Sequence, residues 1–155
     1  MEPVAELMDE HFELLELSGE VRRHLAVEDR TAARSVLVDL ESLLATHVDR
    51  EERGLFAAMK AQGDFVEAVV ELEAEHVAFD VGLGRLDPDG PEFAEQVVEM
   101  LDDLVLHIDK ENLGIFPAAV VTLGASGWDL VTQVHARQHE HGHDHHCDDD
   151  LVGAS

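Results

Sequence analysis

The chain has 155 residues, 45% of them apolar, with six Phe, one Trp and no Tyr, so it is long enough to bury the core of one domain and its composition favours helix packed on helix. Ten Lys and Arg against 35 Asp and Glu leave a net charge of −25, which repels phosphate backbones and anionic lipid and argues against nucleic-acid and membrane partners. A single cysteine, Cys147, excludes a disulfide framework and a cysteine-based zinc site; with no basic leader and no apolar run near the ~20 residues of a membrane span, a cytoplasmic chain is expected.

Apolar residues recurring every three to four positions predict an all-α chain of five helical stretches. The first covers about 3–25 and lines up Leu7, His11, Leu14, Ser18 and Leu25 on one side, leaving His24 on the surface. The second covers about 31–61 and aligns Val36, Leu40, Leu43, His47, Glu51 and Gly54. The third begins after Gly63, where Asp64 followed by Glu67 has the shape of a capping box, and aligns Val69, Leu72, His76, Phe79 and Leu83. After the turn Asp87-Pro88-Asp89-Gly90-Pro91, a fourth helix with Pro91 near its first turn runs to about Leu113. A shorter last helix starts at Ser126, with Asp129 three residues on, and frays into a polar tail.

Short connections make sequential helices neighbours, so the expected fold is an up-down-up-down four-helix bundle over 1–134 with a short C-terminal helix. A His/Asp-rich, disordered tail is expected over 135–155, carrying His135, His139, His141, His143, His145, His146 and Cys147. Such a tail reads either as a loose chelator of zinc, nickel, copper or iron or as an inert extension.

The second and fourth helices carry nearly the same string. His47-Val48-Asp49-Arg50-Glu51-Glu52-Arg53-Gly54-Leu55-Phe56 matches His107-Ile108-Asp109-Lys110-Glu111-Asn112-Leu113-Gly114-Ile115-Phe116. The helices before them echo each other more faintly, through Asp9-Glu10-His11 and Ala74-Glu75-His76. Residues i and i+4 share a helix face, so His47 with Glu51, and His107 with Glu111, project together. The repeated Gly54 and Gly114, each costing ~1 kcal/mol against alanine within a helix, read as points of close approach by backbone or ligand, or in the case of Gly114 as a helix end before Pro117. Four imidazoles and two carboxylates buried together are expensive unless paired or metal-bound, and the mixed nitrogen and oxygen set suits two iron, manganese or zinc ions better than magnesium or calcium.

On His11, His47-x-x-x-Glu51, His76 and His107-x-x-x-Glu111, with Phe56 and Phe116-Pro117 following, the chain resembles the hemerythrin-like (HHE cation-binding) family over roughly residues 5–120. The resemblance implies a four-helix bundle with a carboxylate-bridged, oxo- or hydroxo-bridged centre of two iron ions. In it the four histidines would be terminal ligands and Glu51 and Glu111 the bridges. The oxygen-carrying members have HxxxH on the third helix and HxxxxD on the fourth. Here the matching positions are Asp80 and Asn112, one imidazole fewer, with Asp80 a candidate additional ligand or an orienting partner of His76.

A centre of this kind leaves room for a small ligand, O2, H2O2 or NO, and can cycle between ferrous and ferric states. The first functional expectation is therefore a redox-active di-iron protein with catalase-like, peroxidase-like or NO-reducing activity; the lack of Tyr argues against oxygenase chemistry. The alternative is a non-catalytic iron, oxygen or redox sensor, or a metal-buffering protein. Sequence leaves the oligomeric state open.

Overall fold

The structure is a computed structural model that describes residues 2–141. Among these residues all regular structure is helical, and none of the helices is long and apolar enough to cross a membrane. In chain order they are α1 (Glu2–Ala26), α2 (Arg30–Arg50), a π-helical turn π1 (Glu51–Phe56), α3 (Ala57–Gln62), α4 (Val66–Gly84), α5 (Phe93–Lys110), a second π-helical turn π2 (Glu111–Ile115), α6 (Phe116–Thr122) and α7 (Ala125–His141). The α2–π1–α3 and α5–π2–α6 runs are each one uninterrupted rod, so the described chain is a helical bundle of five rods.

Local chemistry sets the breaks. Asp29 caps α2 by accepting the Ala32 N–H at 3.1 Å, and Gly63, at φ 90°, ends α3 in the left-handed conformation that glycine adopts without strain. Gln62 then joins the two rods end to end: its Nε2 donates to the Thr122 carbonyl at 2.5 Å and its Oε1 accepts from Gly124 N–H at 3.1 Å. The capping box expected at Asp64 does not form. Phe65 occupies the cap position with φ 58°, and Asp64 instead accepts from Gln62 Nε2 at 2.9 Å.

The apolar faces meet in two separate clusters. One joins Leu14, Val21, Leu37, Leu40, Phe79, Phe93, Leu101 and Ile108; the other joins Leu7, Leu55, Phe56, Leu72, Phe116 and Val131. Between them lie the buried polar residues His11, His47, Glu51, His76, His107 and Glu111. The stripe on α2 keeps Leu40 and His47 as expected but shifts by one place at two positions, from Val36 to Leu37 and from Leu43 to Leu44. Ala33, Leu37, Leu40, Leu44 and His47 face inward, while Val36 and Leu43 sit half-buried at its edge.

Two further expectations change. The fourth rod does not stop near Leu113 but passes through Gly114 to Thr122, and Pro117 is accommodated directly after π2, where the ordinary i to i−4 ladder is already interrupted. The change of composition at His135 is not a change of structure either. α7 continues through a buried His135 to His141, and the remainder of the expected tail, 142–155, lies outside the described residues.

The repeated glycines serve different surroundings. A Cβ on Gly54 would stand 3.7 Å from Val131 Cα and 3.7 Å from Val134 Cβ, because α7 lies against π1, whereas a Cβ on Gly114 would meet nothing within 4 Å. Gly114→Ala is therefore expected to raise stability by ~0.5–1 kcal/mol through the loss of unfolded-state freedom. Gly54→Leu must push α7 away and is expected to cost about 1–3 kcal/mol. Urea unfolding of the two variants checks both signs; equal effects would show that α7 does not press on π1.

Candidate metal centre

Each half of the bundle supplies its groups from the same kind of element. His11 lies on α1 and His76 on α4, while His47 and His107 occupy the last turns of α2 and α5. Glu51 and Glu111 are the first residues of π1 and π2. A π turn inserts about one extra residue into the helical register, and such turns are frequent at functional sites. Here the insertion carries Phe56 and Phe116, five positions beyond the glutamates, onto the buried face. Phe56 stacks on His76 with centroids 5.8 Å apart and 8° between planes, and Phe116 stacks on His11 at 5.2 Å and 8°. Each phenylalanine therefore backs a histidine of the opposite half.

Inside this frame the six polar residues converge. His47 Nε2 is 2.6 Å from Glu51 Oε1, and His107 Nε2 is 2.5 Å from Glu111 Oε1. Across the halves, His76 Nε2 lies 3.8 Å from Glu51 Oε1 and His11 Nε2 lies 3.9 Å from Glu111 Oε1. Two groups of potential ligands result, one of His11, His47, Glu51 and Glu111 and the other of Glu51, His76, His107 and Glu111. Within each group the ligand atoms lie within 4.8 Å of one another, and both carboxylates belong to both groups. Asp80, the candidate seventh ligand, is in neither; it is exposed, beyond the edge of the face that His76 and Phe79 bury. His24, expected on the surface, is half-buried and also in neither group.

Behind the imidazoles stands an outer set of polar partners. Asn112 Oδ1 lies 2.7 Å from His11 Nδ1, and because that oxygen can only accept, Nδ1 carries the proton and Nε2 is left as a donor of electrons. Glu10 Oε2 lies 3.0 Å from His47 Nδ1 and Glu52 Oε1 lies 3.0 Å from His76 Nδ1. Glu75 Oε2 is farther from His107 Nδ1, at 3.7 Å. Partners of this type fix ring orientation and raise the basicity of a ligating histidine. The arrangement follows the repeat: Glu10 and Glu75 serve the histidine of the next helix in each half, and Glu52 and Asn112, equivalent positions, serve a histidine across the bundle. Sequence reasoning found the Glu-His pairs without their role and noted Asn112 only as a departure from the oxygen-carrying pattern. It also missed His135, which is buried with Nδ1 2.8 Å from Glu6 Oε2.

The residues fit a metal on a direct observation. His11 Nε2, His47 Nε2 and all four oxygens of Glu51 and Glu111 are buried without a hydrogen-bond donor or acceptor of suitable geometry. Stranding that many polar atoms costs a few kcal/mol each unless something binds them, and a cation of the imidazole- and carboxylate-seeking type would satisfy all of them at once.

The electrostatics of the protein itself divide the histidines. Burial, aided by the charge of His47, holds the His11 imidazole down at about 4, and burial, aided by His76, His11 and His47, holds His107 down at about 3. Burial also opposes charge on His47, but Glu51 and Glu10 outweigh it and lift that imidazole to about 9. Unfolded histidines titrate near 6.5. As pH falls below 6.5, the unfolded chain takes up protons at His11 and His107 that the folded chain refuses, so stability falls. As pH rises above 6.5, the folded chain alone keeps the His47 proton and surrenders it on approaching 9, so stability falls again. Urea unfolding of the metal-free protein is thus expected to show a maximum near pH 6.5; a monotonic rise from pH 4 to 9 would contradict the raised value for His47.

Comparison with known proteins bears on this geometry. No curated protein and no solved structure matches the chain significantly. The family described as the hemerythrin HHE cation binding domain matches residues 2–119, a span that contains all six converging side chains. With that match over most of its length and the buried histidine and glutamate groups inside it, the chain belongs to the hemerythrin HHE cation-binding domain family.

Proposed function

We propose that this chain is a non-haem di-iron protein that binds or reduces a small oxidant, O2, H2O2 or NO, within an up-down-up-down four-helix bundle. The observation that carries the reading is the sharing of both carboxylates by two histidine pairs, His11 with His47 and His76 with His107. A ligand set with two common carboxylates and two imidazoles at either end suits a pair of ions held close together, with Glu51 and Glu111 as bridges. Six protein ligands leave two octahedral ions short of full coordination, which is where an exogenous molecule would bind. When bound, iron would supply a reversible ferrous–ferric change next to those open positions.

The protein's part is to place and shield. Phe56 and Phe116 back the rings and keep water from that end of the site, and the apolar clusters close it on both sides. Loading the site requires His47, kept protonated by the nearby Glu51 and Glu10 carboxylates, to give up a proton, so metal uptake should release a proton near neutral pH. Catalase-like turnover would need no outside reductant, because one H2O2 is oxidised to O2 while another is reduced to water.

Protein purified aerobically is expected to hold two iron ions per chain, show ligand-to-iron charge-transfer absorption in the near ultraviolet and evolve O2 from H2O2. Glu51→Ala and His107→Ala should each lower iron content by ~10-fold or more, while truncation after His141 should leave it unchanged. Iron retained by both variants and lost on truncation would move the metal site to the tail and end this reading. Two irons with no turnover would instead assign the chain to the alternative role, an iron, oxygen or redox sensor or a metal buffer.

A further inference from the structure

The two halves of the site are alike in sequence and unlike in support. Arg50 and Lys110 are equivalent positions of the repeat, and each holds the carboxylate that stands behind the histidine three residues before it. On the first half, Arg50 donates through Nη1 to Glu10 Oε1, and Glu10 Oε2 is 3.0 Å from His47 Nδ1. Arg50 is itself pinned: its Nε donates to Gln138 Oε1 on α7, and Gln138 Nε2 donates to Asp49 Oδ2 at 2.8 Å. Arg50 and Glu10 are only 14% and 12% exposed, so their contact is largely removed from solvent, while Asp49 at the far end of the chain is 41% exposed.

On the second half no helix among the described residues plays the part of α7. Lys110 is 49% exposed and holds Glu75 at 2.9 Å, while Glu71, 70% exposed, stands 3.7 Å from the same ammonium. Glu75 Oε2 remains 3.7 Å from His107 Nδ1. Glu75, Lys110 and Gly114 line an open groove of about 990 Å3 between α4 and α5. The other histidine of this half, His76, relies on Glu52, which is 35% exposed. An exposed lysine with three freely rotating donors restrains a carboxylate far less than a buried, forked guanidinium does.

We propose that α7, which lies beyond the matched span of the family, locks the ion position of His11 and His47 through Gln138, Arg50 and Glu10, leaving the position of His76 and His107 as the labile one. Gln138 and Arg50 are positioning residues, acting on the metal through Glu10 and His47. The inference rests on the dinuclear reading above. It adds that the two ions are held unequally and that an element particular to the C-terminal part of this chain makes the difference.

The test is chelator challenge of the full-length, iron-loaded protein, with release followed by absorbance and the retained iron by Mössbauer spectroscopy. The wild type should release one iron at least about ten-fold faster than the other, since outer partners of this type change metal affinity by roughly 10–100-fold. Gln138→Met, nearly isosteric but unable to hold Arg50 in the same way, should speed only the slow phase and shift one of two quadrupole doublets. Arg50→Lys, which keeps the charge and loses the fork, should act in the same direction, and Lys110→Ala should leave the slow phase alone. Two irons leaving at one rate, or Gln138→Met speeding both phases alike, would overturn the proposal while sparing the dinuclear site. Fewer than two irons bound at the start would overturn both. The wild-type result is decisive even if a variant folds poorly.

Discussion

Everything in this bundle answers to the cost of burying four imidazoles and two carboxylates in the middle of an apolar core. Taking an isolated carboxylate out of water costs several kcal/mol even after relaxation, and Glu51 and Glu111 are fully buried. Ion pairing recovers part of that at His47, which stays charged beside Glu51, whereas His107 meets Glu111 one helical turn away as a neutral ring. The four carboxylate oxygens nonetheless keep capacity that no protein donor fills. A fold that accepts such a penalty twice, at equivalent positions, is organised around a cation.

The rest of the architecture serves that arrangement. The π turns begin at the two glutamates and re-phase the rods so that large aromatic rings, not backbone, press against the histidines from the opposite half. The outer polar partners orient His11, His47 and His76 through Nδ1 and leave Nε2 facing inward, most clearly at His11. The result has approximate internal two-fold character at its centre and loses it outward. α7 covers Gly54 and reaches Arg50, while the equivalent Gly114 and Lys110 face an open groove.

The inner site was legible because its signal is periodic. HxxxE twice, each preceded by a helix with one in-phase histidine, specifies a shared face without any knowledge of tertiary contacts. The helical class and the family resemblance followed from the same residues. What escaped were features set by neighbours or by small departures from ideal geometry. The π turns leave no distinct compositional mark, so the fourth rod seemed to end near Gly114, although one extra residue of register lets it run past Pro117. The pairing of Glu10 with His47 and of Asn112 with His11 crosses between helices, which periodicity within one helix cannot reveal. Asp80 shares a turn with His76, but four residues advance the helix by slightly more than one turn, enough at that edge to put the side chain in solvent. His135 belongs by composition to the histidine-rich end and by burial to the bundle, because its ring sits against Glu6 of α1.

The division of the apolar interior into two clusters has a consequence for how the molecule holds itself together. Leu55, Phe56, Phe116 and Val131 belong to one end, and Leu40, Phe79, Phe93 and Leu101 to the other, with the polar layer between them. Hydrophobic burial alone transmits little across that layer, since the side chains that meet there are polar and partly unsatisfied. Cooperativity between the ends then passes through the continuous rods, such as α1 with Leu7 and Leu14, and through the histidines and glutamates themselves. An ion bound there would act as a mechanical rivet as well as a reagent, adding a side-chain link between two half-cores that the helical backbones already join.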